Sequence, residues 1–274
     1  VTKFSGEIVP YDESKLYNSL KQSGAANEFI QQILARVRKD MVDEKSTAAI
    51  YKEAFTMLKQ LSKATAARYK LKRSIMELGP SGFPFEKYVA ELFRHEGYSV
   101  SNNLIIEGKC VSHEVDVLAK RHDSILFTEC KFHNRQGLKS DIKISMYFKA
   151  RVDDLKAGST AKKEYVKYKL GGCLVTNTRF SEDAINYAKC EGIQLIAWDY
   201  PVNGSLKDKI ELSGLYPITC LSSLTKREKL QLIERGHVLA KSIAANPSLL
   251  ELLKMTDHRY KNVMEEINEL CIPQ

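Results

Sequence analysis

The sequence has no long apolar run. Across its 274 residues, no stretch reaches the roughly 18 consecutive apolar residues that a membrane-spanning helix needs. The opening, VTKFSGEIVPYD, has neither the apolar core nor the cleavage site of a signal peptide. Internal repeats and low-complexity tracts are missing as well. We therefore expect a folded, cytoplasmic protein with no membrane partner.

Cysteine pairs of the kind that bind zinc are also missing. The chain also lacks a GxxxxGK[ST] phosphate loop, so rapid nucleotide turnover is not expected. Cysteines without CxxC spacing are typical of a reducing compartment, and they argue against a zinc ribbon and against a disulfide framework. The six scattered cysteines are Cys110, Cys130, Cys173, Cys190, Cys220 and Cys271.

Positive charge is in excess. The net charge is +8 and the pI is about 9.0, which favours polyanionic partners such as nucleic acid. Residues 139–169 carry nine Lys or Arg against four acidic residues. The same run is equally compatible with a solvated helix face and a loop, so both interpretations stay open.

Hydrophobic periodicity divides the chain into three parts. Residues 1–78 begin with a short hairpin that turns at Gly6, continue as four amphipathic helices and end at the breaker GPSGFP. Residues 79–217 alternate helices with apolar strands, which is typical of an α/β sheet layered by helices. Residues 218–274 return to a helical pattern.

One strand of the middle part, ILFTECKFH, carries opposite charges in an apolar setting. Glu129 and Lys131 are two residues apart, so they share one face of the strand. The strand before it, HEVDVLA, is separated by the five-residue polar turn KRHDS, which predicts a hairpin. Folding that hairpin about His122 places Asp116 opposite residue 128 or 129, so the two acids and the lysine should converge.

Two carboxylates that lie close together repel each other and need a cation. A Mg²⁺ ion meets that need, because it takes oxygen ligands and keeps several of its own waters. A neighbouring lysine can orient a metal-bound water and stabilise charge that develops on a phosphate. The alternative is a purely structural Asp/Glu/Lys network on the sheet.

The arrangement of Asp116 in EVD and of ECK on the next strand resembles the PD-(D/E)xK nuclease superfamily. Here EVD stands in place of the nominal Pro-Asp. The segment GFPFEKYVAELFRHEGYSV is similar to the first helix of the Mrr-type restriction endonuclease branch. The segment GGCLVTNTRFSEDAINYAKCEGIQLIAWD is similar to that branch's closing strand, helix and strand. The resemblance spans about residues 80–200 and implies a mixed-sheet core that hydrolyses DNA, with RNA as an open alternative.

The resemblance also implies roles for individual residues. Asp116 and Glu129 would ligate Mg²⁺ or Mn²⁺, with the backbone carbonyl of Cys130 as an extra ligand. Lys131 would position the attacking water, and Glu86 would bind the ion or a second one, directly or through water. Weaker candidates near the site are His113, Glu114 and His133.

The first 78 residues resemble the ATP-cone, a nucleotide-binding regulatory module. The resemblance implies that ATP or dATP acts as an effector, with lysines that meet its phosphates near a helix N-terminus. Phe4 stands where the family has an arginine, and Val9 stands where a polar contact is common. A degenerate cone that docks or contacts DNA is the alternative. The matching positions are Val1, Lys3, Gly6 and Lys15.

The C-terminal part, LTKREKLQLIERGHVLAKSI, places a helix, an Arg-Gly-His turn and a second helix in order. Gly236 and Ala240 make it faintly similar to a helix-hairpin-helix, whose turn amides grip a phosphate backbone. A packing or dimerisation bundle is the favoured interpretation, so a homodimer is one expected assembly.

Taken together, these features predict a metal-dependent DNA endonuclease modulated by a bound nucleotide. Its expected fold is a mixed-sheet PD-(D/E)xK core flanked by an N-terminal, mostly helical ATP-cone and a C-terminal helical segment. The alternative is a nucleotide-responsive DNA-binding regulator that uses a nuclease fold without cleavage.

Overall fold

The computed structural model describes residues 1–2, 6–40, 45–135, 137–160 and 165–272. They form two compact units. One unit is the contiguous stretch 75–215, and the other combines residues 1–74 with residues 216–272. The described part of the C-terminal segment thus lies in the same unit as the N-terminal helices. No described helix is both long and apolar enough to cross a membrane.

The N-terminal part is helical, as its periodicity predicts. Asp12 caps the first helix, since its carboxylate accepts the Ser14 amide at 3.1 Å. The predicted fourth helix is divided by a one-residue turn at Lys70. The helices are α1 (Glu13–Gln22), α2 (Asn27–Lys39), α3 (Thr47–Leu61), α4 (Lys63–Tyr69) and α5 (Leu71–Met76).

Residues 3–5 of the predicted N-terminal hairpin lie outside the described residues. On either side of them, Thr2 and Ile8 form an antiparallel bridge and Val1 and Val9 exchange backbone hydrogen bonds, with Gly6 at φ +85°. The helices that follow share an apolar cluster. Its buried members are Leu16, Leu20, Ile30, Ile33, Leu34, Val37, Ile50, Ala54, Leu58 and Ala66.

The middle unit is a mixed sheet with helices on both faces. The helices are α6 (Phe83–His95), α7 (Ile142–Thr160), α8 (Glu182–Cys190) and α9 (Leu206–Ser213). The main strands are β1 (Ser99–Glu107), β2 (Ser112–Arg121), β3 (Ser124–Lys131), β5 (Lys169–Thr176) and β7 (Gln194–Ile196), in that spatial order. β4 (Lys139–Ser140) pairs with β6 (Arg179–Phe180). The expected mixed-sheet α/β architecture is therefore present.

The central strand β3 joins an antiparallel half to a parallel half. It pairs antiparallel with β2 and parallel with β5. The hairpin turn is shorter than predicted: Arg121 pairs with Ser124, which leaves a two-residue turn in which His122 takes φ +50°. The turn remains centred next to His122, so the register keeps the predicted alignment.

The helix α7 covers one face of the sheet. Leu155 joins a buried cluster with Phe127, and Phe148 and Val152 pack in a second cluster with Leu174. The opposite face is covered by α6, whose buried residues are Phe85, Tyr88, Val89, Ala90, Leu92 and Phe93. β3 therefore lies between two apolar layers, which explains its apolar composition.

The C-terminal part is helical with interruptions. Its helices are α10 (Lys226–Glu234), α11 (Ala240–Ala245), a 3₁₀ segment (Pro247–Leu253) and α12 (Asp257–Leu270). The pattern from Ser248 to Leu270 predicts continuous helix, but Lys254 takes the left-handed conformation at φ 47° and Thr256 caps a new helix. Arg68 donates to the Glu269 carbonyl at 2.6 Å, so α12 contacts α4.

Candidate active site

Asp116 lies where the strands β2 and β3 stop pairing. The paired register ends at Val117 and Thr128, one residue before Asp116 would face Glu129. The Asp116 carboxylate then accepts the backbone N–H of Cys130 at 2.7 Å. A side-chain oxygen thus replaces the strand-to-strand hydrogen bond, and the carboxylate is fixed between the diverging strands.

The surroundings of Asp116 disfavour its charge. Burial, and after it the nearby Glu129 carboxylate, raise the pKa of Asp116 to about 6, against the opposing effects of the Cys130 N–H and Arg151. The neighbouring Glu114 adds to the increase. Asp116 and Glu129 are therefore close enough to repel each other, as the hairpin register predicts.

Glu86 projects from the first turn of α6 and is half-buried. Its carboxylate accepts the side-chain amide of Asn103 at 3.0 Å. Burial raises the pKa of Glu86, the Asn103 amide opposes that rise, and the charges of Asp116 and Glu114 add to it. The helix α6 thus brings Glu86 to the two acids of the hairpin, Asp116 and Glu129. Glu114 lies near Glu86 and Asp116.

Glu129 has a partner that the sequence did not indicate. Its carboxylate lies 2.5 Å from Nη1 of Arg151, which comes from α7. The Nη2 atom of the same guanidinium contacts the carbonyl oxygen of Glu114. In the sequence Arg151 is one of the residues of the basic run 139–169, but it interrupts the apolar stripe formed by Phe148 and Leu155 on α7. A charged residue on a buried helix face was the available signal.

Lys131 ends β3 and is exposed. Its backbone carbonyl accepts the Thr176 hydroxyl at 2.8 Å, which ties the strand end to β5. Burial and then the charge of Lys131 lower the pKa of His133, whose Nε2 lies 3.0 Å from the Ser140 hydroxyl. Lys131 therefore presents its side chain to solvent beside a neutral imidazole.

His113 has a structural partner. Its Nε2 lies 2.8 Å from the carboxylate of Asp154 on α7. That carboxylate also accepts the backbone N–H of Cys110 at 2.8 Å. His113 thus helps to attach the β1–β2 turn to α7.

The residues fit a hard divalent cation by their chemistry. Asp116, Glu129 and Glu86 offer carboxylate oxygens, the ligands that Mg²⁺ prefers, and burial together with the charge of Glu129 raises the pKa of Asp116. Within the described ranges, no three His, Cys, Asp or Glu side chains are already arranged to hold a metal ion. The carboxylate of Glu129 is paired with Arg151.

The residues predicted to contact a nucleotide, and the turn predicted to contact a nucleic-acid phosphate backbone, belong to the unit of residues 1–74 and 216–272. Lys15 is exposed and lies 3.3 Å from Asp12, whereas Lys3 is outside the described residues. In the α10–α11 turn, the N–H groups of Gly236 and His237 donate to carbonyls of the preceding helix. Those two amides are therefore engaged within the turn.

The fold and the acidic cluster on its central hairpin define a class of protein. Residues 79–200 match the restriction endonuclease family model Mrr_cat. This region contains the mixed sheet, α6 and α7, and the four acidic and lysine residues predicted for catalysis. The domain indicates a nuclease-type function, in agreement with the predicted Mrr-type resemblance.

A second family model and two similar proteins define the family more narrowly. Residues 216–271 match the model "AF1548-like, C-terminal". An "Uncharacterized protein" of Archaeoglobus fulgidus is 33% identical over 184 residues, which cover 66% of this chain and 99% of the relative. A crystal structure of "Protein of Unknown Function AF1548" has a TM-score of 0.56 at 30% identity, covering 70% of this chain and 98% of that one. The chain belongs to the AF1548-like family.

Proposed function

We propose that the protein is a Mg²⁺- or Mn²⁺-dependent DNA endonuclease. The observation that carries this proposal is the Asp116 carboxylate, held by the Cys130 amide at 2.7 Å and close enough to Glu129 for the two charges to repel. A structural network would place cations against both acids. Here Arg151 pairs with Glu129, the Asp116 carboxylate accepts a backbone N–H, and burial with the charge of Glu129 raises the pKa of Asp116 to about 6, which supports a site that takes a further cation.

Each residue has a role in this proposal. Asp116 and Glu129 hold the ion, with the Cys130 carbonyl as an extra ligand and Glu86 as a direct or water-mediated one. The bound ion supplies Lewis acidity and lowers the pKa of a coordinated water. Lys131, exposed at the end of β3, positions the attacking water and stabilises the charge that develops on the phosphate.

A cleavage panel tests the proposal. Supercoiled, linear, branched, methylated and single-stranded DNA, together with RNA, is incubated with Mg²⁺, Mn²⁺ or EDTA. We expect cleavage of DNA that stops in EDTA and falls at least about 100-fold in Asp116→Asn and in Lys131→Ala, with DNA binding largely retained. Asp183→Asn and Lys189→Ala, both exposed on α8, are matched controls that keep full activity.

The panel also separates the alternatives. Undiminished cutting by either site variant would contradict this assignment of the site. DNA binding without cleavage under any metal condition would favour the non-cleaving regulator. Cleavage confined to RNA would move the substrate to the other nucleic acid while leaving the chemistry in place.

We further propose that ATP or dATP modulates the nuclease by binding near Gly6 and Lys15, with Lys3 as a second phosphate contact. Lys15 is 79% exposed in its side chain beside the α1 N-terminus, where the helix dipole favours an anion. Titration calorimetry of the full chain with each nucleotide tests this, with Lys21→Ala on the same helix as control for Lys15→Ala. No heat at millimolar nucleotide, together with cleavage rates unchanged by ATP, would remove the effector role.

A further inference from the structure

Arg151 makes the closest charged contact to the proposed metal ligands. Its guanidinium bridges the hairpin from α7, with Nη1 2.5 Å from a Glu129 oxygen and Nη2 in contact with the Glu114 carbonyl. The arginine side chain is 15% exposed and that of Glu129 is 27% exposed. Partial burial makes this ion pair stronger than one at an open surface.

The contact conflicts with metal binding. The oxygen that Arg151 holds belongs to a carboxylate needed as a ligand, and a guanidinium beside a divalent cation repels it. The cluster contains four acids, Glu86, Glu114, Asp116 and Glu129, so it attracts a cation whether or not metal is present. Arg151 fills that demand in the metal-free protein.

We propose that Arg151 is an exchangeable cation: it holds Glu129 until the divalent ion displaces it, and it then binds a phosphate of the DNA. The inference rests on the proposed function and adds to it the residue that couples metal loading to substrate binding. Because coupling between two ligands is reciprocal, an arginine that weakens metal binding is itself released when metal binds.

The guanidinium of Arg151 has a further neighbour, which does not depend on Glu129. Tyr147 lies one helical turn earlier on α7, and its ring centroid is 5.7 Å from the guanidinium carbon. The Tyr147 side chain is 68% exposed. A guanidinium released from Glu129 can keep this ring contact and turn its planar donor fork toward solvent, where it matches the geometry of a phosphate.

Metal affinity, measured without cleavage, tests the first half of the inference. Mn²⁺ binding to the full chain is followed by electron paramagnetic resonance in Arg151→Met and Arg151→Gln. We expect both variants to bind Mn²⁺ at least about fivefold more tightly than the natural protein, because the competing cation is gone. Lys149→Met is the matched control: it lies on the same helix, pairs with Asp153 and Glu191, and should leave Mn²⁺ affinity unchanged.

DNA affinity tests the second half. Fluorescence anisotropy is measured with uncleaved DNA in Ca²⁺ and in EDTA. We expect Arg151→Gln to weaken binding about tenfold in Ca²⁺ and to leave binding in EDTA nearly unchanged, because the arginine reaches the phosphate only after its release. Unfolding midpoints identify which of the two variants is folded and can be interpreted.

The outcomes separate this inference from the proposed function. The folded Arg151 variants could bind Mn²⁺ with the same affinity as the natural protein while Asp116→Asn loses binding. That result would overturn the exchange and leave the nuclease proposal standing. An equal loss of DNA affinity in Ca²⁺ and in EDTA would also overturn it, because the contact would then be independent of metal. A natural protein that binds no Mn²⁺ would overturn both.

Discussion

Asp116 is held in a position that costs stability in the absence of a cation. Its carboxylate fills a backbone hydrogen-bonding position between two strands while burial and Glu129 raise its pKa to about 6. In an unfolded chain the pKa of an aspartate is about 3.9. The folded protein is therefore stabilised by protonation of Asp116, fully below pH 4, and this stabilisation is lost as the pH rises through 6.

Asp116→Asn should accordingly stabilise the metal-free protein at high pH. The asparagine oxygen can still accept the Cys130 N–H, but it carries no charge. We expect a gain of roughly 1 to 2 kcal/mol at pH 8 that fades below pH 4, a value reduced to allow for partial solvent screening. Urea unfolding of both proteins across this pH range in EDTA measures the difference.

Asp123→Asn is the informative control at the same scale. Asp123 lies in the β2–β3 turn, and its pKa is lowered by Lys169, at 3.1 Å. The pH dependence is therefore opposite to that of Asp116→Asn. Any loss of stability in Asp123→Asn is seen at neutral pH and disappears as the pH falls. A destabilised Asp116→Asn protein at pH 8 would contradict the electrostatic account of the site.

Among the secondary-structure elements, the β2–β3 hairpin could be predicted from the sequence, but the position of α7 against it could not. A turn centred next to His122 fixes which residues of β2 and β3 meet, so local sequence suffices to bring Asp116 to Glu129. The contact between Arg151 and Glu129 depends on how α7 lies across the sheet, which no local pattern specifies. Only the packing of a complete core decides such a position.

The boundaries of the helices and strands were likewise predictable only where a local sequence signal marks them. The last strand of the segment that ends in IQLIAWD covers only Gln194–Ile196, and the predicted continuous C-terminal helix is divided at Lys254. Apolar periodicity marks which residues are buried, but a 3₁₀ turn and an α-helix bury similar faces. The helix starts were easier, because hydroxyl and carboxylate caps such as Asp12 and Ser46 are local signals.

The helix α7 is set against the β1–β2 turn by two glycines. A Cβ on Gly158 would lie 2.4 Å from the carbonyl carbon of Gly108, a contact between backbones that no side-chain rotation can relieve. Close approach here supports the attachment of α7, which carries Arg151, to the hairpin that carries Glu114 and Asp116.

Gly158→Ala should therefore destabilise the protein although it improves helix propensity. Replacing a helical glycine with alanine ordinarily gains about 1 kcal/mol, whereas overpacking costs about 1 to 3 kcal/mol. We expect a net loss of about 1 to 2 kcal/mol in the free energy of unfolding, measured by urea denaturation. Lys143→Ala, exposed on the same helix, should change it by less than about 0.5 kcal/mol, and a stabilised Gly158→Ala protein would refute the close approach.

For the whole molecule, the charge of +8 predicts DNA binding that depends steeply on salt. The basic run 139–169 is less free than its composition suggests, because Lys149, Arg151 and Lys169 already pair with acids. If about six phosphates are neutralised, affinity should fall roughly 10³-fold between 50 and 200 mM salt. Anisotropy titrations with Asp116→Asn measure the slope, and a flat response would assign these lysines to a solvated face.

The division of the chain into a continuous and a split unit has a consequence for biosynthesis. Residues 75–215 are synthesised before the second half of the split unit begins, so residues 1–74 precede that half by 141 residues. At 5 to 20 residues per second, that delay is roughly 7 to 28 s. The helices α1 to α3 have their own apolar cluster during this interval, but the contact of Arg68 with Glu269 must wait for α12. The sheet that carries the acidic cluster can therefore be complete while its companion unit still awaits its last helices.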